Sequence, residues 1–277
     1  MEPPYDTSRR RRGRPGPLLR RRRGLTRPAL PRGAIPNAFT LGNLFAGFLS
    51  IVYASQGNLE FAAWLIVIAG FFDLLDGMVA RLAGVSSSFG VELDSLCDVV
   101  SFGVAPAFLM YRFGLDRMGF FGIFIAALFA MSGAVRLARF NAYAEAGEKK
   151  DYFVGLPIPA AAGVIVAFTL TFTDDTWFAG LERGRLSILL PLTVLVALLM
   201  VSPVRFLALP QPNRAALRKY PKRFAAFALG LLLMLFLKEF GVLIAAAVYL
   251  LHGIGGAVWW AVRVAREGDE DPAPVPD

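Results

Sequence analysis

Four aspartates, Asp73, Asp76, Asp94 and Asp98, stand within two stretches of chain otherwise apolar enough to cross a lipid bilayer. A charged side chain at the centre of a membrane helix costs roughly 2.5–3.5 kcal/mol on insertion scales, so such residues mark a working site by default. Four carboxylates together need a shared compensating charge, which a metal ion supplies. The chain has one histidine, His252, and one cysteine, Cys97, too few for an imidazole or thiolate site. An all-carboxylate ligand set suits a hard divalent ion, Mg²⁺ or Mn²⁺. The chemistry open to such a centre is that of a hard metal ion held by carboxylates at membrane depth.

The spacing says which elements must carry these residues. Asp73, Asp76, Gly77, Ala80, Arg81 and Gly84 recur at steps of three and four, which predicts one face of a helix. Gly90, Asp94 and Asp98 recur at steps of four on the next one. The link Gly84-Val-Ser-Ser-Ser88 reads as a glycine stop followed by serine caps, and its shortness predicts two antiparallel neighbours. Counted from the middle of the link, Asp73 matches Asp98 in depth and Asp76 matches Asp94, so the carboxylates are expected to meet across the pair. Arg81 falls about 7–8 Å from Asp76 toward the membrane surface at about 1.5 Å per residue. The expected pocket is shallow and opens to the cytoplasmic side.

Composition sets the class around this hairpin. The chain is 56% hydrophobic, with a mean hydropathy of +0.55, beyond an ordinary soluble domain. Apolar runs near 36–56, 59–82, 88–112, 119–141, 156–173, 186–204, 221–238 and 241–263 predict an all-α bundle of about eight transmembrane helices. The net charge of +8 belongs to one end: residues 1–34 hold 11 arginines against Glu2 and Asp6, and the remainder is close to neutral. That arm reads as a disordered cytoplasmic segment obeying the positive-inside rule. No nucleic-acid reading domain accompanies it. Residues 35–265 form the membrane domain, with the site hairpin at 71–107, and 266–277 an acidic tail. Basic residues in alternate links place both termini and the pocket on the cytoplasmic side.

Other polar residues lie where such a pocket would need them. Asn37 and Thr40 occupy the first turn of the first span, as ordinary caps or as contacts to a ligand. Pro106 bends or loosens the third span. Arg136 and Arg139 lie one turn apart at the end of the fourth, as snorkelling anchors or as a clamp for a phosphate or carboxylate. Cys97 is turned away from Asp98 and reads as packing; His252 reads as packing or an interhelical hydrogen bond, and Trp259 and Trp260 as interface anchors.

The pattern D-x2-D-G-x2-A-R-x8-G-x3-D-x3-D, met without a gap by Asp73, Asp76, Gly77, Ala80, Arg81, Gly90, Asp94 and Asp98, resembles the motif of the CDP-alcohol phosphatidyltransferases. The strings P-N-A-F-T-L-G-N-L, S-F-G-V-A-P-A, R-L-A-R-F-N and G-L-P-I-P-A-A-A-G are similar to its phosphatidylserine synthase branch. The resemblance covers Pro36 to Gly163 well and the last three spans in hydropathy only. It implies the family's membrane fold, CDP-diacylglycerol and L-serine as substrates, and phosphatidylserine and CMP as products. Asp73, Asp76 and Asp94 are then expected to hold one or two divalent ions, with Asp98 completing the shell and serving as base. Arg81 would bind a phosphate oxygen, Gly77 would let the nucleotide approach, and Gly90 would do likewise or let the two helices close. Ala80 would line the substrate site, Asn37 and Thr40 would touch the nucleotide, and Arg136 or Arg139 would take the acceptor's carboxylate. Glycerol phosphate or inositol phosphate is the competing acceptor, and a homodimer is implied by the family alone. An aspartate-lined cation transporter lacks a second matching half here, and a prenyltransferase would carry two separate aspartate motifs.

Overall fold

Apolar residues fill each long helix on every side, as expected where lipid rather than water is the surrounding solvent. The computed structural model describes residues 34–83, 87–145, 152–173, 182–207, 240–244, 246–251, 253 and 255–256, all within the unit Arg32–Asp277. Helix α1 runs Ala34–Ser55, α2 Leu59–Ala83, α3 Ser88–Asp98, α4 Ala105–Phe113, α5 Phe120–Glu145, α6 Ile158–Thr173 and α7 Glu182–Val201. A π-helical segment, Val99–Val104, joins α3 to α4, so that Ser88–Phe113 is one continuous span. Among the described residues, four spans are long and apolar enough to cross a membrane: Pro36–Ser55, Leu59–Ala80, Ser88–Phe113 and Phe120–Tyr143. Shorter apolar helices follow at Ile158–Thr173, Leu186–Val201 and Phe240–Leu251. The expected seventh span, 221–238, lies outside the described residues, as do both terminal segments, His252, Trp259 and Trp260.

The third span shows why its sequence breaks helical regularity. Pro106 has no N–H, and its ring crowds the carbonyl four residues earlier. The chain widens into the π segment just before it, which also changes the phase between Asp98 and the residues that follow.

Helix α1 is the post on which the site is built. It packs along α2 and also meets α3, the π segment and α4. The backbones of α2 and α3, by contrast, barely approach each other. The two site helices both lean on α1, and Asp73, Asp76 and Asp94 converge between them. The π segment, α4, α5, α6 and α7 build a core that includes Phe102, Leu109, Met110, Phe129, Ile165 and Met200. Large apolar side chains left outside, such as Phe45, Phe48, Phe120 and Leu198, form the face a bilayer would cover.

Two short strands were not anticipated. β1 (Tyr152–Val154) pairs antiparallel with β2 (Arg205–Leu207), with Phe153 opposite Phe206. They connect the segment after α5 to the segment after α7.

Candidate active site

Helix α2 contributes Asp73 and Asp76 one turn apart, and α3 contributes Asp94. One carboxylate oxygen from each lies within 4.8 Å of the others. Oxygens this close together could be shared by one small divalent cation, which these three residues would hold. Asp94 Oδ1 is buried and has no hydrogen-bond partner among the described residues. Such an orphaned acceptor is costly unless something fills its place. The donor set, three carboxylates without nitrogen or sulfur, fits a hard divalent ion.

Asp98 stands beside the trio and is not one of its three members. It is buried, and its Oδ1 accepts a hydrogen bond from Asn43 Nδ2 at 3.2 Å. The fourth carboxylate thus has its own holder on α1, which the sequence reading passed over. The signal was present: Asn37, Thr40 and Asn43 are spaced by three in an apolar helix, and Asn43 lies within the string quoted for the first span.

The start of α3 is capped as expected. Ser87, with φ −118° and ψ 144°, accepts the N–H of Gly90 on its hydroxyl at 3.0 Å. Asn37 lies across from this turn, and a methyl group on Gly90 would stand 3.6 Å from its Oδ1. Thr40 is buried and donates its hydroxyl to the Pro36 carbonyl one turn back at 3.2 Å, leaving its lone pairs to accept. Gly77 and Ala80 follow Asp76 along α2, both half-buried. Arg81 belongs to the last turn of α2, and its side chain lies outside the described part of the structure, as does Gly84.

The two arginines of α5 differ sharply. Arg139 donates to the carbonyls of Val201 (2.9 Å), Val154 (3.1 Å) and Met200 (3.3 Å), so its guanidinium knots the end of α7 to β1. That use explains the residue without a ligand. Arg136 is buried over the rings of Phe140 and Phe153, at 5.3 and 5.6 Å. Its Nε has no hydrogen-bond partner among the described residues. A further brace, Asn141 Nδ2 to Ser95 Oγ at 2.8 Å, ties α5 to the helix that carries Asp94 and Asp98. Cys97 is buried beside them, as packing predicts.

The model of the CDP-alcohol phosphatidyltransferase family matches residues 33–181, more than half of the chain and every candidate site residue. The chain belongs to that family. Among its relatives, a Helicobacter pylori protein named CDP-diacylglycerol–serine O-phosphatidyltransferase is 36% identical over 237 residues, 86% of this chain and 96% of that one. A Bacillus subtilis protein of the same name is 38% identical over 138 residues, 50% of this chain and 76% of its own. The archaetidylserine synthase of Methanothermobacter thermautotrophicus is 42% identical over 140 residues, covering 50% and 58%. Membership makes the apolar helices those of an integral membrane protein. It also agrees with the acidic trio, since the family generally depends on a metal and this cluster could bind one.

Proposed function

We propose that this protein transfers the phosphatidyl group of CDP-diacylglycerol to the hydroxyl of L-serine, giving phosphatidylserine and CMP. The observation that carries the reading is one cleft holding three converging carboxylates with a fourth, separately braced, beside them, in a chain whose relatives bear the name of that activity. Asp73, Asp76 and Asp94 would hold Mg²⁺ or Mn²⁺, which when bound neutralises charge on the diphosphate. Arg81, Gly77, Ala80, Gly90, Asn37 and Thr40 would receive the nucleotide and its phosphates. Asp98 takes the proton from the serine hydroxyl. That oxygen bonds to the phosphatidyl phosphorus, and the bond from phosphorus to the bridging oxygen breaks, so CMP leaves with the electron pair. A carboxylate, with an ordinary pKa of about 3.9, is a weak base. Holding hydroxyl and phosphorus in line, which supplies about 7–11 kcal/mol in well-oriented reactions, compensates. Arg136 is the better candidate for the serine carboxylate, because Arg139 is engaged with backbone carbonyls.

The same reading places the enzyme in the cell (inner) membrane as a homodimer. Its site and both termini face the cytoplasm, with a basic arm over residues 1–34, the catalytic domain over 35–265 and an acidic tail over 266–277. An acceptor panel tests the reaction: purified protein, labelled CDP-diacylglycerol, divalent metal, and serine, glycerol 3-phosphate or inositol phosphate. Serine-dependent release of CMP that stops in EDTA is expected. Lipid formed only with a phosphorylated acceptor would transfer the assignment to that acceptor, and full activity in EDTA would discard the metal-holding role of the trio.

A further inference from the structure

Asn43 is more deeply buried than any of the four aspartates, with no exposed surface, and only one end of its amide is satisfied. Nδ2 is bonded to Asp98 Oδ1 at 3.2 Å, while Oδ1 has no hydrogen-bond partner among the described residues. A buried acceptor left empty is unfavourable, and native structures rarely carry one without a reason. The orphaned oxygen sits on the same carbon as the nitrogen that grips Asp98, so it lies one amide's width from the atom that holds that carboxylate. The arrangement is rigid. The Asn43 backbone carbonyl accepts the Ser101 hydroxyl at 3.0 Å. One turn on, Gly47 lets α1 press against the Ser101 backbone.

Resting on the serine reading above, we propose that Asn43 Oδ1 accepts a hydrogen bond from the ammonium group of the acceptor, so that Asn43 both steadies Asp98 and recognises a 1,2-amino alcohol. The acceptor's hydroxyl has a single proton, and that proton goes to Asp98. The donor for Asn43 Oδ1 must therefore come from the neighbouring carbon. A 1,2-amino alcohol offers its hydroxyl and ammonium on adjacent carbons, to match two acceptors side by side. An ammonium also makes a stronger, charge-assisted bond than a second hydroxyl would. The amide is suited to both tasks at once: its NH₂ donates to a carboxylate and its carbonyl accepts from a cation.

Two variants separate the two tasks. Asn43→Ala removes both, and should raise the KM for serine by at least about tenfold, a charge-assisted bond's worth, with the KM for CDP-diacylglycerol unchanged and kcat lowered. Asn43→Asp keeps an acceptor oxygen but loses the donor to Asp98; kcat should fall while the KM for serine stays within about threefold of wild type. Thermal unfolding in detergent checks that each variant is folded. Where turnover is too slow, equilibrium dialysis with labelled serine in the presence of CMP reads the same contact. Equal serine affinity in wild type and Asn43→Ala, or an equal loss in both variants, would overturn the ammonium contact. Wild-type protein that forms no lipid from serine would instead overturn the serine reading itself.

Discussion

At the scale of single residues, the two arginines of α5 show how position along a helix misleads. Both are candidates for the acceptor's carboxylate from their place at a helix end, and their contacts tell them apart. Arg139→Gln removes donors from the carbonyls of Val154, Met200 and Val201. The bonds to Val154 and Met200 are part-buried and that to Val201 is exposed. A part-buried carbonyl left without its donor costs about 1–3 kcal/mol at most, so the expected effect is a lowered unfolding temperature in detergent with the KM for serine unmoved. Arg136→Gln should do the reverse. Its cation rests on Phe140 and Phe153 with Nε unsatisfied, so the loss of a charged hydrogen bond of about 1.5–3 kcal/mol raises the KM for serine roughly tenfold or more. Kinetics and melting of the two purified variants check this. A rise in serine KM in Arg139→Gln alone would exchange the two roles.

At the scale of elements, α1 matters more than its position before the motif suggests, because it fixes the height of Asn43 against Asp98. A methyl group on Gly47 would collide with Ser101 Oγ and stand 2.7 Å from Ser101 Cα. Since the second contact is backbone, the helices must part, at about 1–3 kcal/mol for such overpacking. Gly47→Ala should therefore lower both thermal stability and kcat, and adding Ser101→Gly should restore them only in part. Gly42→Ala is the matched control: its methyl meets only the Phe72 ring, at 3.2 Å, and a side chain can yield. Equal tolerance of both substitutions in melting and activity assays would disprove the fixed height. The same comparison shows what could be read in advance. The aspartate faces, the Ser87 cap and the disturbance before Pro106 follow from local spacing and proline chemistry, and they stand where the sequence placed them. The pairing of Asn43 with Asp98, 55 residues away, depends on which helices lean together. So does the pairing of the three-residue strands, and no local periodicity records that.

For the whole molecule, the proposed orientation ties the chemistry to the membrane. On that orientation the start of α3 faces the cytoplasm, while the α1–α2 and α4–α5 turns face the other side. Gly57 and Gly119 both have positive φ, 85° and 58°, with nothing within 4 Å of an added Cβ, so these turns are open to a reagent. Ser87, exposed at the start of α3, marks the opposite face. The lone native Cys97 is 1% exposed and should give little background. Single cysteines at 57, 87 and 119 can then be challenged with a membrane-impermeant maleimide. In intact cells, positions 57 and 119 should label and 87 should not; in inverted membrane vesicles the pattern should reverse. At 57 and 119, unlike the two glycines, the new side chain must adopt a left-handed backbone, so each variant is first checked for CMP release. Labelling of position 87 from outside intact cells would turn the active cleft away from the cytoplasm.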